Sequence, residues 1–195
     1  MAHDIERIEP VAQDVDLFSR LTQYFDQLDQ NLANGLGWLI FNASGARGRR
    51  INNYVIDHFR QAETPLMFQH VPWRDFALNA YMVEVELQSI DESDESLAGH
   101  ARDEYDIATR VSRDNLVKMV AADVLIMSGV HPKHRHELDL LDQTIERRFN
   151  LKATTILLTP SQPHQLAIDI TRIAPDETFW DRMFERLYRR CLVAV

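Results

Sequence analysis

Five short apolar runs, separated by stretches with helical spacing, restrict this 195-residue chain to a narrow set of folds. The runs are Leu36–Phe41, Leu66–His70, Ala122–Met127, Thr154–Thr159 and Cys191–Val195. Each is short enough for one buried strand, and turn residues such as Asn34-Gly35, Ser128-Gly129 and Pro160 punctuate them. Strands that alternate with helices pair in parallel, because each connection has to cross back over the sheet. The pattern therefore predicts a layered α/β domain with a mostly parallel sheet and helices on both faces.

The intervening segments supply the helices. Val15, Leu17, Phe18, Leu21, Tyr24, Phe25, Leu28 and Leu32 recur at helical spacing, so Val15–Leu32 reads as an amphipathic helix. Its apolar stripe either packs on the sheet or, left uncovered, docks a partner. Further helices are expected over Ile51–Arg60, from Pro72-Trp73 onward, and over Val111–Val120, Glu137–Phe149 and Phe179–Arg190. In the helix after Pro72, Leu78, Tyr81, Met82 and Val85 are the expected apolar side. Residues 1–32 read as a polar arm plus the amphipathic helix, and residues 33–195 as the α/β domain. Glu84 to Asp106 carries nine acids against one arginine, which predicts a solvated acidic insertion at about 86–106.

The loop after the first apolar run carries the chemistry. Strand, glycine-containing loop and helix follow in the order of a phosphate-binding unit, whose working form reads Gly, four residues, Gly-Lys-Ser/Thr. In that register the chain reads Ala43, four residues, Gly48-Arg49-Arg50, with Gly45 and Arg47 inside the loop. The lysine that reaches the phosphates is replaced by Arg49, and Arg50 stands where a hydroxyl would hold magnesium. A planar guanidinium does not substitute for a compact ammonium in a tight loop. Capture of a bare anion or weak binding of a nucleotide by Arg47, Arg49 and Arg50 is the alternative reading; a patch for protein or DNA is another.

Charge and cysteine count narrow the partners. A formal net charge of -9 repels phosphate backbones overall. Cys191 is the sole cysteine, so an intrachain disulfide and a thiolate-rich metal site are ruled out, which fits a reducing cytoplasm. The first 20 residues lack the apolar core of a secretion signal, and no apolar run approaches membrane-spanning length.

Taken in order, the blocks from about Gly37 onward resemble the AAA+ domain of bacterial replicative helicase loaders and of transposase-helper ATPases. Replication-initiator-like AAA+ regulators are the second family of this kind. The matching blocks are Gly37–Gly48, Leu66–His70 with the helix near Trp73, Ala122–Gly129, Leu141–Arg148 with Thr154–Thr159, and Phe184–Arg190. The resemblance implies a three-layer P-loop-like sandwich without intact Walker motifs. By the same resemblance, Ser128 and Gly129 occupy the place of the Walker B acids, and Ser161 that of a sensor residue. Arg147 or Arg148 matches the arginine finger, Arg190 matches the second sensor arginine, and Arg189 replaces an aspartate of the family pattern. Arg186, Arg189 and Arg190, together with the loop arginines, are the candidate contacts to DNA or a partner.

Hydrolysis of ATP in such a fold needs phosphate-cradling amides, a lysine, magnesium ligands and an acid that positions water. This chain lacks the last three in their expected places. What the resemblance implies is thus a non-catalytic protein without a cofactor. Its partner would be a protein, with a helicase or an active AAA+ ATPase as candidates, in DNA replication, transposition or a related nucleoprotein assembly. The expected state is a monomer or dimer. A divergent ATPase and a direct DNA-binding accessory protein are the rivals. Two further constellations carry ordinary readings. His131, His134 and His136 sit beside Lys133 and Arg135, which disfavours a dication and favours a solvated loop. Ser44, Ser128 and Ser161 with Asp123 or a histidine suggest a hydrolase only if folding assembles them, since no Gly-x-Ser-x-Gly elbow is present.

Overall fold

In the computed structural model, which describes residues 14–83 and 99–195, the chain builds a five-stranded, wholly parallel sheet. The elements in chain order are α1 (Val15–Asp26), α2 (Leu28–Ala33), β1 (Gly37–Ile40), α3 (Gly45–Arg60), β2 (Phe68–Pro72) and α4 (Trp73–Tyr81). There follow α5 (Gly99–Ala121), β3 (Val124–Ser128), α6 (Arg135–Leu151), β4 (Thr154–Leu158), α7 (Pro163–Ile173), α8 (Glu177–Arg190) and β5 (Cys191–Ala194). Strand order across the sheet is β2-β3-β4-β1-β5. This is the three-layer α/β sandwich that the alternation predicts.

Strand alternation divides the core in two. Trp38, Ile40, Val124, Ile126, Ile156 and Leu158 face the layer formed by α1 and α3, where they meet Leu17, Leu21, Tyr24, Ile51, Val55 and Phe59. Leu39, Leu125, Met127 and Leu157 face the opposite layer, built from α4 to α8. The central strands are buried on both faces, which is why they read as continuous apolar runs. The apolar face of α1 is taken up by this packing. The stripe thus packs on the sheet, the first of its two readings, and is not left uncovered to dock a partner.

Several boundaries also differ from the sequence reading. The first amphipathic segment breaks at Gln27 into α1 and α2. The helix expected from Ile51 begins at Gly45, so most of the supposed phosphate loop is helical. On α4 the buried residues are Trp73, Phe76, Asn79 and Ala80, whereas Leu78 is 62% exposed. Aromatic bulk at Trp73 and Phe76 wins the core face, and their rings stack at 5.1 Å. Val85 and residues 86–98 of the acidic segment lie outside the described residues, and residues 99–106 belong to α5 rather than to a loop. Helix α7 was not anticipated; Pro163 opens it and Leu166 and Ile170 bury one turn apart, but the flanking prolines read as a loop.

One arginine fastens three elements at the N-terminal edge of the sheet. Arg148, near the end of α6, is 1% exposed. Its Nη1 donates to the carbonyls of Met119, Val120 and Ala122 at the end of α5. Its Nη2 donates to the Asp123 and Thr154 carbonyls that precede β3 and open β4, and Nε donates to Thr155 Oγ1. Burial pushes its pKa down to about 10, against the opposing charge of Asp123, so it remains a cation at neutral pH. These bonds satisfy carbonyls that the end of a helix leaves open. Arg148→Met should lower the free energy of unfolding by about 3 kcal/mol or more, since several buried carbonyls lose their donor. Arg148→Lys should recover only part, because one ammonium cannot span the fork. Denaturant unfolding of the three proteins checks both.

Candidate functional site

At the C-terminal edge of the sheet, β1 passes into α3 through four residues, Phe41 to Ser44. A phosphate cradle needs free backbone N–H groups converging on a ligand. Here those groups are consumed. The Phe41 amide donates to the Ala194 carbonyl at 2.8 Å, Asn42 to Ser161 at 3.1 Å, and Ala43 to Thr159 at 2.8 Å. Ser44 N–H turns back to Asn42 at 2.9 Å, and Gly48 N–H enters the helix ladder on Ser44 at 3.0 Å. What remains is the set of first-turn amides that any helix leaves open.

Glycine is required twice in this short turn. Gly45 enters α3 at φ +52°, a conformation that side chains other than glycine adopt at a cost. Gly48 lies so close to the Ala43 carbonyl that an added Cβ would sit 2.3 Å from its oxygen. The helix is thus seated directly on the loop, where a working cradle would leave room.

The cations of the loop are engaged by a residue that the sequence reading did not single out. Asp14, the residue before α1, is 1% exposed. Arg47 Nε donates to its Oδ1 at 2.7 Å, and Arg50 Nη2 donates to its Oδ2 at 3.0 Å. Arg47 also holds the Phe41 carbonyl through Nη1 at 2.8 Å. Burial works to raise the Asp14 pKa, but the hydrogen bonds and charges of Arg47 and Arg50 outweigh it and hold the carboxyl below its ordinary value. An Asp before an apolar stripe is legible as a helix cap. Its pairing with residues more than thirty positions away is not. Arg49, at the place of the lysine, is exposed.

The neighbouring strands add no anionic ligands at the expected positions. Ser128 ends β3 level with Leu158, and Leu158 pairs with Ile40, so Ser128 lies at the same edge of the sheet as the loop, with β4 between them. Its hydroxyl meets His70 Nε2 at 2.9 Å. Burial lowers the His70 pKa, Arg60 lowers it further, and Asp75 only partly opposes them, which keeps the ring neutral at pH 7. Gly129 follows at φ +74°. A neutral Ser–His pair and a glycine replace the two carboxylates that would hold magnesium and orient water. Ser161 contacts the loop through its carbonyl, which accepts the Asn42 N–H.

The remaining arginines are placed elsewhere. Arg190 directly precedes β5, and Cys191 pairs with Gly37 at the start of β1. That is the opposite edge of the sheet, roughly 13 Å along the strand from the loop. Arg190 donates to the Asn34 carbonyl and stacks over Phe149 at 5.2 Å, so it does not act as a sensor at the loop. Arg148 is not an arginine finger, because its donors are spent inside the chain; Arg147 is exposed. Arg186 binds Asp142 at 2.8 Å and Glu146 at 2.6 Å and is largely covered, whereas Arg189 pairs with Glu185 one turn away and stays exposed.

The other constellations also resolve. Asp123 lies at the N-terminal edge, where its Oδ2 accepts the Met67 N–H, far from the Ser128–His70 pair, and no triad forms with it. His134 and His136 stack at 5.4 Å, and Glu137 accepts the Lys133 N–H at 2.7 Å, which ties the loop to the start of α6. Among the described residues no three His, Cys, Asp or Glu side chains converge as metal ligands, and no helix is long and apolar enough to cross a membrane.

Asp14 should therefore link stability to pH. Its folded pKa is lowered, so its contribution is whole above the ordinary value of 3.8 and is lost as pH falls through the folded value. Asp14→Asn should unfold about 2 kcal/mol more easily than the parent at pH 7. The gap should narrow as acid protonates the parent's carboxyl, which denaturation curves between neutral pH and pH about 3 will measure.

No protein-family model matches the chain, and no curated protein matches it in sequence. Among solved structures, the DnaC helicase loader is similar, with a TM-score of 0.61 and 13% identity over 96% of this chain and 92% of that one. At that identity the likeness is one of fold alone.

Proposed function

We propose that the chain is a non-catalytic AAA+-like regulator that works by binding a protein partner, in DNA replication, transposition or a related nucleoprotein assembly. The observation that carries this reading is the closed loop. The amides of Phe41 to Ser44 are bonded to the chain's own carbonyls, and two arginines of the following turns are bonded to the chain's own Asp14. The Ser128–His70 pair adds no charge for a magnesium ion. Each missing group removes a transition-state contact worth a few kcal/mol, so their combined loss leaves hydrolysis without its catalysis.

The candidate partners are a replicative helicase and an active AAA+ ATPase, because the fold resembles that of a helicase loader. Direct DNA binding is the weaker reading: Arg186 and Arg189 are ion-paired, Arg190 is bonded to the chain's own Asn34 carbonyl, and the net charge is -9. A protein partner is not subject to that repulsion.

Calorimetry with magnesium and ATP at about 1 mM should give no saturable heat, and turnover should not exceed background. Mixed with the replicative helicase or an AAA+ ATPase from its own cell, the chain should co-sediment with one of them. A magnesium-dependent ATP complex that turns over would reverse the catalytic part of this proposal. Failure to associate with either ATPase would remove the assigned partners.

A further inference from the structure

Arg47 and Arg50 stand in the first turns of α3, where the helix field favours anions and opposes cations. Their side chains are largely buried, at 22% and 19% exposure. Two guanidinium groups there need a counter-charge, and in a ligand-binding loop an incoming oxyanion would provide it. In this chain both converge on one buried carboxylate that arrives from another element. We propose that Asp14 is an internal ligand, whose carboxylate occupies the place of an oxyanion between Arg47 and Arg50 and keeps this edge of the domain permanently in its liganded form. This rests on the reading of the chain as non-catalytic and adds a regulatory consequence. The contact builds the order of this loop into the chain itself and ties α1 to α3.

The geometry also says what would replace the carboxylate. Arg50 uses Nη2 on Asp14, while its Nε is buried and has no acceptor among the described residues. An anion with a third oxygen can take that spare donor, which a carboxylate leaves unused. A cavity left by removal of Asp14 is therefore suited to a tetrahedral oxyanion such as sulfate or phosphate, and less to acetate.

The test compares the parent with Asp14→Ala, and with Asp14→Asn in case the alanine variant does not fold. Thermal unfolding is followed in chloride and in about 10 mM sulfate, phosphate or acetate at matched ionic strength. The alanine variant should melt roughly 5 °C below the parent in chloride. Phosphate or sulfate should restore most of that loss, acetate less, and the parent should not respond. Hydrogen exchange at residues 41–50 should rise in the variant and fall again with phosphate. Adding Arg47→Gln and Arg50→Gln to Asp14→Ala should abolish the rescue. No anion-specific rescue in either Asp14 variant, or an equal response in the parent, overturns the internal ligand. ATP turnover is measured on the same samples: turnover by the parent sinks the non-catalytic reading, whereas missing rescue without turnover sinks only the role of Asp14.

Discussion

A cation at the start of a helix faces the positive end of the helix field, and burial strengthens the repulsion. Arg47 and Arg50 are both in that position, so the passage from β1 to α3 depends on the Asp14 carboxylate that neutralises them. Much of the site follows from this contact. Arg47 can then reach the Phe41 carbonyl, and Gly48 can lie against the Ala43 carbonyl. The same contact fixes α1 on the same face of the sheet as α3.

Parallel topology divides the rest of the chemistry between two edges. Every strand ends at the edge that carries Ser128, Ser161 and the closed loop, because each crossover returns the chain to the same starting edge. Ligands of open α/β sheets bind at that edge. The opposite edge holds Arg148 and Arg190, whose donors satisfy carbonyls of the chain itself. These two arginines are structural, and what they hold is the level of α5, β3 and β4 on one side and of α8 against the start of β1 on the other. Arg182 and Arg186 share Asp142 and join α8 to α6 in the same manner. Arginines near helix ends thus serve here as internal braces, while others, such as Arg49 and Arg147, stay exposed.

The strands were legible because burial on both faces leaves long apolar runs, and each of the five expected strands is present. Helix ends were less so. Asn79 is buried on α4 while Leu78 is exposed, since the stacked Trp73 and Phe76 decide which side of the helix meets the core. At α3 the glycine-containing segment reads as a loop on composition, yet a helix begins at Gly45 because Ser44 and Gly48 close its first ladder bond. The start of α5 at Gly99 was hidden by the acidic composition that precedes and enters it.

Sequence alone determined the layered α/β architecture, the place of the loop and the absence there of lysine, hydroxyl and acids at the register positions. Those are local properties: residue type, apolar period and spacing along the chain. Tertiary structure alone decided that Asp14 pairs with Arg47 and Arg50, that His70 faces Ser128, and that Arg148 and Arg190 bond to the chain's own carbonyls at the far edge. Each of those contacts joins residues brought together only by strand register and helix packing, and the sign and burial of a partner charge cannot be read before the fold has set its distance.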